Sequence, residues 1–389
     1  MTDMTQETQQ ETQEESGLGA LSFVDPAMPG QVTLDSGGRP DGSWSADPPR
    51  CAALAEVVVA GAGQLLTLAE VLGRLRWSSL VVVRDVRDGR GELVHEAYAD
   101  DVRPDSRLLG ASMTKSALAH LVGLAVTDGS LDLDRVVADY LPEVAASGYG
   151  SVPVLDVLRM TSGIDWIEDH RDPDGPAARL TAAFFGGEGA VRDQLRAVTS
   201  RCAPGTRWEY CTADSQMLDW VRERATGVPF VDALGSLRAQ LGCTGPVTVS
   251  ADSAGVPMAG GGVAMTARDW ARFGLLQVDG LAPDGRRLLS PEWLDLAGRP
   301  TLPFTRPGRL PSSITTHAGF GGHWWPLDDT GRRITADGSR GQFTYVDRDR
   351  RVVVTMTSRW PYADAMIDRQ CRDLAYLTLP AIASAAAGE

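Results

Sequence analysis

Residues 108–126 read LLGASMTKSALAHLVGLAV, and Lys115 within them is the only lysine in 389 residues. The other 36 of the 37 Lys+Arg positions are arginine. Apolar spacing with Met113, Ala117, Leu121 and Leu124 on one side, followed by Asp128-Gly129, predicts a helix from Ser112 to about Val126. Residues three apart share a helix face, so Ser112 and Lys115 can meet. A serine at the start of a helix sits where free N–H groups and the dipole favour developing negative charge. A serine hydroxyl needs a base to become a nucleophile. Arginine stays charged, whereas a desolvated lysine titrates near neutrality and can exchange a proton. A chain that has drifted to arginine elsewhere keeps lysine where deprotonation matters. The plainer reading makes Ser112 an N-cap and Lys115 an exposed first-turn residue, but a lysine there opposes the dipole.

The rest of the chain bounds what such a pair can serve. With 389 residues and a 43% hydrophobic fraction it can bury a large core. No apolar run reaches the roughly 18 residues of a membrane helix. A net charge of −14 and a pI near 4.9 exclude nucleic acid or an anionic membrane surface as partner. The opening MTDMTQETQQETQEES carries acids, no base and almost nothing core-forming, so residues 1–16 are expected to be a disordered acidic tail. The tail lacks the basic and apolar regions of a signal peptide, and a cytoplasmic protein is expected. Cys51, Cys202, Cys211, Cys243 and Cys371 are odd in number and widely spaced, a reduced set rather than a disulfide framework. The five histidines form neither H-x-H nor H-E-x-x-H, so neither a metal nor another cofactor is expected.

Along the chain, residues 17–64 read as an extended N-terminal arm. LLTLAEVLGRLRW (65–77) has helical spacing, and SLVVVRDVRDGRGELVHEAYA (79–99) reads as a hairpin. Residues 130–260 are mostly helical patterns between Pro/Gly loops. TARDWARFGLLQVDG is a further helix, strands return in GGHWWPL, RRITADG, GQFTYVDRD and RRVVVTMTS, and ADAMIDRQCRDLAYLTL closes as a helix. This predicts an α+β domain from residues 65–129 and 261–389, with one sheet built from both ends of the chain and a helical lobe, 130–260, beside it. VVVAGAGQLL (57–66) resembles a dinucleotide fingerprint but lacks the third glycine and βαβ alternation, so it is read as a loop.

Two further segments offer partners for the serine. TRWEYCTADSQMLDW puts Tyr210 between a turn and a helix, where a nearby ammonium can lower a phenol's pKa enough for it to act as a base; the plainer reading is a half-buried aromatic. In ITADGSRGQFTYVD, Gly338 and Gly341 let a strand pass close to a ligand, and its edge can lend an N–H to an oxyanion beside that of Ser112; alone, GSRG is a turn.

This ordered set resembles the penicillin-recognising serine hydrolases, which include class C β-lactamases, D-alanyl-D-alanine carboxypeptidases, esterases and the 6-aminohexanoate-dimer (nylon oligomer) hydrolases, the last being the nearest match. LLGASMTKS, VTDGSLDLDRVVADYLPEV, SVPVLDVLRMTSGIDWIED, WEYCTAD, GGGVAMTARDWARFGLLQVDG and GHWWPL carry it. The resemblance implies a β-lactamase/transpeptidase-like fold, a mainly antiparallel sheet flanked by helices. It implies Ser112 as the acylated nucleophile, Lys115 as its proton partner, Tyr210 as acid/base, and the backbone N–H groups of Ser112 and Ser339 as oxyanion hole. Substrate-binding candidates on the matching passages are His170, Gly260, Trp324, Arg340 and Gly341. The sequence also departs from the family: the β-lactamase Tyr-x-Asn is Tyr210-Cys211-Thr212, and the K-T-G strand motif is Arg340-Gly341-Gln342. The expected activity is hydrolysis of a small linear amide or carboxylic ester through an acyl-enzyme. A β-lactamase, a D-amino-acid peptidase and a non-catalytic binding module on the same scaffold are the alternatives, and assembly as a homodimer is left open.

Overall fold

The valine-rich strand that follows Arg76 is buried on both faces. This computed structural model describes residues 30–34, 44, 49–61, 63–169, 172–186, 189–311, 318–361 and 365–389. In chain order its elements are β1 (Gly30–Leu34), β2 (Val58–Gly61), β3 (Gln64–Thr67), α1 (Leu68–Arg74), β4 (Trp77–Arg87), β5 (Arg90–Tyr98), β6 (Leu108–Leu109) and α2 (Met113–Thr127). They continue through α3 (Val137–Tyr140), α4 (Val154–Leu158), α5 (Pro176–Ala183), α6 (Ala190–Ala197), α7 (Thr212–Thr226), α8 (Phe230–Gln240), β7 (Val247–Ala251), β8 (Val263–Met265), α9 (Ala267–Asp279) and α10 (Pro291–Gly298). The chain closes with β9 (Trp325–Pro326), β10 (Arg333–Gly338), β11 (Gln342–Asp347), β12 (Val352–Ser358) and α11 (Ala365–Ala387).

The main sheet has the order β5-β4-β12-β11-β10-β9, antiparallel throughout, so two strands from the front of the chain lie beside four from its end. Alternation sorts its side chains into two layers. Val81, Val83, Val346, Val353 and Ala336 face a core shared with α2 and α9. Leu80, Val82, Phe343, Tyr345, Val354 and Met356 face a second core shared with α1 and α11. Cover on both faces explains the unbroken valine runs. The α+β fold expected from the sequence is thus present, with α7 and α8 of the 130–260 segment packed against α2.

Several local readings change. VVVAGAGQLL contributes a hairpin, β2–β3, rather than a loop. The helix expected over 65–77 spans only Leu68–Arg74, because Thr67 and Glu70 close a capping box that starts it and Gln64–Thr67 pairs as a strand. Helix α2 is not one-sided: apart from Leu124, every residue from Met113 to Ala125 is buried, since the sheet covers one side and the helical region the other. A second sheet, β1-β7-β8-β6, was not anticipated; it takes its edge strand from the arm and delivers the chain at Leu109 to Ser112. The acidic tail, residues 1–16, lies outside the described residues. Among the described residues, no helix is long and apolar enough to cross a membrane.

Candidate active site

Strand β6 ends at Leu109, and the backbone turns through Ala111 at φ 45°, a conformation costly for a non-glycine residue, before α2 begins. Ser112 takes the N-cap position, yet its hydroxyl makes no capping hydrogen bond and is left available. Lys115, one turn on, is 3% exposed. Its Nζ donates to Ser112 Oγ at 3.2 Å and to the Gly260 carbonyl at 2.6 Å. An exposed first-turn lysine is therefore excluded. Burial pulls the amine down to about 8, against a weaker opposing pull from the Glu168 carboxylate.

Gly260, a substrate-binding candidate from the sequence, lies beside Lys115 and accepts its hydrogen bond. A Cβ there would fall 2.9 Å from Thr212 Cγ2 and 3.4 Å from Lys115 Nζ, so only glycine lets this carbonyl approach.

Tyr210 comes from the loop before α7, and its phenol is influenced by the Ser112 hydroxyl. Lys115 Nζ lies 5.1 Å from the centre of its ring. The direction of its titration is opposite to the expectation from sequence. Burial and then Glu168 push the phenol well above its ordinary value, and the Ser112 hydroxyl offsets this only in part. The resting tyrosine is thus a neutral phenol, and the lysine is the member of the pair that sheds a proton first.

On the other side, β10 and β11 are joined by Ser339-Arg340-Gly341, with Arg340 and Gly341 at φ 63° and 89°. At Gly338 a Cβ would stand 2.2 Å from the Gly110 carbonyl oxygen, which is how closely this hairpin approaches the turn before Ser112. The Ser112 N–H precedes the first turn of α2 and has no intrahelical acceptor. A Cβ on Gly341 would strike Trp360 at 2.3 Å, so this glycine serves the turn.

Two of the substrate-binding candidates have partners within the protein. Trp324 is buried in the core against His120, ring centres 5.6 Å apart. Neighbouring residues entering a strand face opposite ways, and it is Trp325 that stacks on Tyr210, at 5.7 Å and 20°. Arg340 directs its Nε to the Trp360 carbonyl at 3.0 Å, and burial, with Arg76 and Arg359 nearby, lowers its pKa. His170 lies outside the described residues.

The sequence reading missed Glu168. It accepts from the Thr212 N–H at 2.9 Å, from Thr212 Oγ1 at 2.5 Å and from Trp166 Nε1 at 2.6 Å, tying the IDWIED loop to the start of α7. Thr212 occupies the place of the Asn in the β-lactamase Tyr-x-Asn, so that position here holds a carboxylate. A lone acid in a loop gives no periodic or motif signal by which it could be found.

A buried lysine within reach of an uncapped serine hydroxyl and a phenol equips the site for nucleophilic catalysis without a histidine. Comparison with known proteins agrees. The β-lactamase family profile matches residues 78–376. The chain belongs to the β-lactamase family. Like other β-lactamase-family enzymes it is a serine hydrolase. It is 32% identical over 281 residues to a 6-aminohexanoate-dimer hydrolase of Paenarthrobacter ureafaciens, covering 70% of this chain and 71% of that one. Among solved structures, a Bacillus anthracis protein described as a candidate 6-aminohexanoate-dimer hydrolase superimposes with a TM-score of 0.74 at 20% identity, covering 91% of both chains. A D-stereospecific amidohydrolase of a Streptomyces species gives a TM-score of 0.55 at 18% identity, over 82% of this chain and 97% of its own. The two structural likenesses speak for the fold of the β-lactamase family, not for a substrate.

Proposed function

We propose that the protein hydrolyses a small linear amide or carboxylic ester of the 6-aminohexanoate-oligomer type through an acyl-enzyme on Ser112. The observation that carries this reading is the contact of the buried Lys115 Nζ with Ser112 Oγ at 3.2 Å. Ser112 Oγ bonds to the substrate carbonyl carbon as its proton passes to neutral Lys115. The carbonyl oxygen takes up the electron pair and is held by the Ser112 and Ser339 N–H groups. On collapse, Tyr210 gives its proton to the departing amine or alcohol and is reprotonated by Lys115. Water then repeats the sequence on the ester, releasing the acid and restoring the serine.

Thr212 and its bond to Glu168 favour this over a β-lactamase, because the amide that β-lactamases present at that position is missing and a negative charge stands nearby. Five free thiols, two of them buried, support a cytoplasmic setting. The test is a panel of p-nitrophenyl esters, a 6-aminohexanoate dimer and nitrocefin, with mass spectrometry for an adduct on Ser112. Ester or dimer turnover well above nitrocefin turnover, lost in Ser112→Ala, is expected. Undiminished ester hydrolysis by Ser112→Ala would refute the mechanism. Sedimentation of the same preparation reads whether it assembles as a homodimer.

A further inference from the structure

Beneath the Ser339–Gly341 hairpin, on the side away from Ser112, lies a charged cluster that the proposed chemistry does not use. Along β10, Ala336 faces the α2 side while Asp337 points the other way, into the layer shared with α11. An aspartate there, 7% exposed, stands opposite Phe343 in register. Helix α11 meets it with Asp368, Arg372 and Tyr376, spaced four apart and therefore on one face. The Arg372 guanidinium engages both oxygens of Asp337, and Tyr376 OH donates to Oδ2 at 2.6 Å. Asp368 stands 3.5 Å from Arg372 and accepts from Trp360 Nε1 at 2.8 Å. Trp360 in turn fills the space beside Gly341 and takes Arg340 Nε on its carbonyl. The Gln342 amide donates to the carbonyls of Ser339 and Arg340.

We propose that Asp337, Arg372 and Tyr376 are positioning residues, a clamp from the C-terminal helix that fixes the Ser339 hairpin against Ser112. The proposal rests on the acyl-enzyme reading above.

A buried ion pair is weak grounds for stability, because well-packed apolar residues can often replace it without loss. Its place in the chain argues for a different role. Asp337 is two residues from Ser339, and the intervening Gly338 is pressed onto Gly110, so the hairpin is held from in front by the turn before Ser112 and from behind by α11. A displacement of about 1 Å at a reacting centre can cost on the order of a hundredfold in rate. The pairing also matters for charge. With Arg372 in place, no bare carboxylate lies two residues from the developing oxyanion; the Tyr210 phenol already feels both partners of the pair, in opposite senses.

The experiment uses the full chain with Arg372→Lys, Tyr376→Phe and the double variant Asp337→Leu/Arg372→Met, which removes both charges of the Asp337–Arg372 pair together. Thermal unfolding, kcat and KM on a p-nitrophenyl ester, affinity for a boronic acid that mimics the tetrahedral state, and the Ser112 adduct are read for each. The double variant is expected to lose at least tenfold in kcat with KM within about twofold, and to lose boronate affinity by the same factor, as for an interaction made only in the transition state. Arg372→Lys should recover part of that loss. Tyr376→Phe, which keeps the ring packed on Phe343, should show a several-fold fall of the same kind and stands in if the double variant does not fold. Unchanged kcat and boronate affinity in folded variants overturns the clamp while the wild-type adduct on Ser112 upholds the acyl-enzyme reading. No wild-type adduct overturns both.

Discussion

The buried lysine yields the sharpest prediction. Lys115 Nζ has its pKa drawn from the ordinary lysine value of 10.5 to about 8, chiefly by burial. That corresponds to about 3 kcal/mol of differential interaction between the charged and neutral amine. Roughly a tenth of the enzyme then holds neutral Lys115 at pH 7, and about nine-tenths at pH 9. If the neutral amine accepts the Ser112 proton, kcat/KM should rise about tenfold between those values along a single limb centred near pH 8. Glu168 opposes the burial effect, so Glu168→Gln should move the limb to lower pH while Thr212 keeps an acceptor for its hydroxyl. Lys115→Arg retains the charge but cannot release it, and should lose on the order of 10² to 10⁴ in kcat/KM. Initial rates on an uncharged p-nitrophenyl ester from pH 6 to 9.5, corrected for spontaneous hydrolysis, measure all three. A flat profile, or a limb that stays in place in Glu168→Gln, would refute the assignment of the proton to Lys115.

Gly338→Ala would put a methyl 2.2 Å from the Gly110 carbonyl, so the hairpin must move; kcat should fall at least tenfold with a smaller loss in melting temperature, and equal activity would show the close approach to be dispensable. Trp324→Phe should lower stability through the core around His120 and leave KM unchanged, whereas Trp325→Leu removes the ring stacked on Tyr210 and should lower kcat. Asp214, buried behind Tyr210 and held by Ser162 and Tyr149, is raised by burial from 3.8 to about 7. The folded state keeps its proton where the unfolded chain has lost it, so its stabilising contribution is present below pH 4 and is lost as pH rises to 7. Asp214→Asn should therefore gain stability relative to wild type as pH rises from 5 to 8, by about 2.5 kcal/mol; denaturant titrations at both pH values check this, and a constant difference between the two proteins would contradict it.

What could be read from the sequence and what could not divides along one physical line. Ser112 and Lys115 were legible because helical spacing is local, and a unique lysine in an arginine-rich chain is visible without any structure. The sheet shared by the two ends was legible for the same reason, since SLVVVRDV and RRVVVTMTS are each strand-like on their own. Quantities set by distant packing were not legible. Trp324 and Trp325 are equally aromatic neighbours, and only the sheet decides that the first enters the core and the second meets Tyr210. Glu168 and Asp337 look like any other acids among 51 until the fold sets one on Thr212 and the other on Arg372. The reversal at Tyr210 follows from the same cause. A nearby ammonium predicts a lowered phenol, but burial and the Glu168 carboxylate penalise the phenolate, and the Ser112 hydroxyl offsets them only in part. The same burial lowers Lys115. One environment thus moves the two groups in opposite senses, favouring a neutral amine and a neutral phenol, which is the pairing of proton acceptor and proton donor that the proposed mechanism requires.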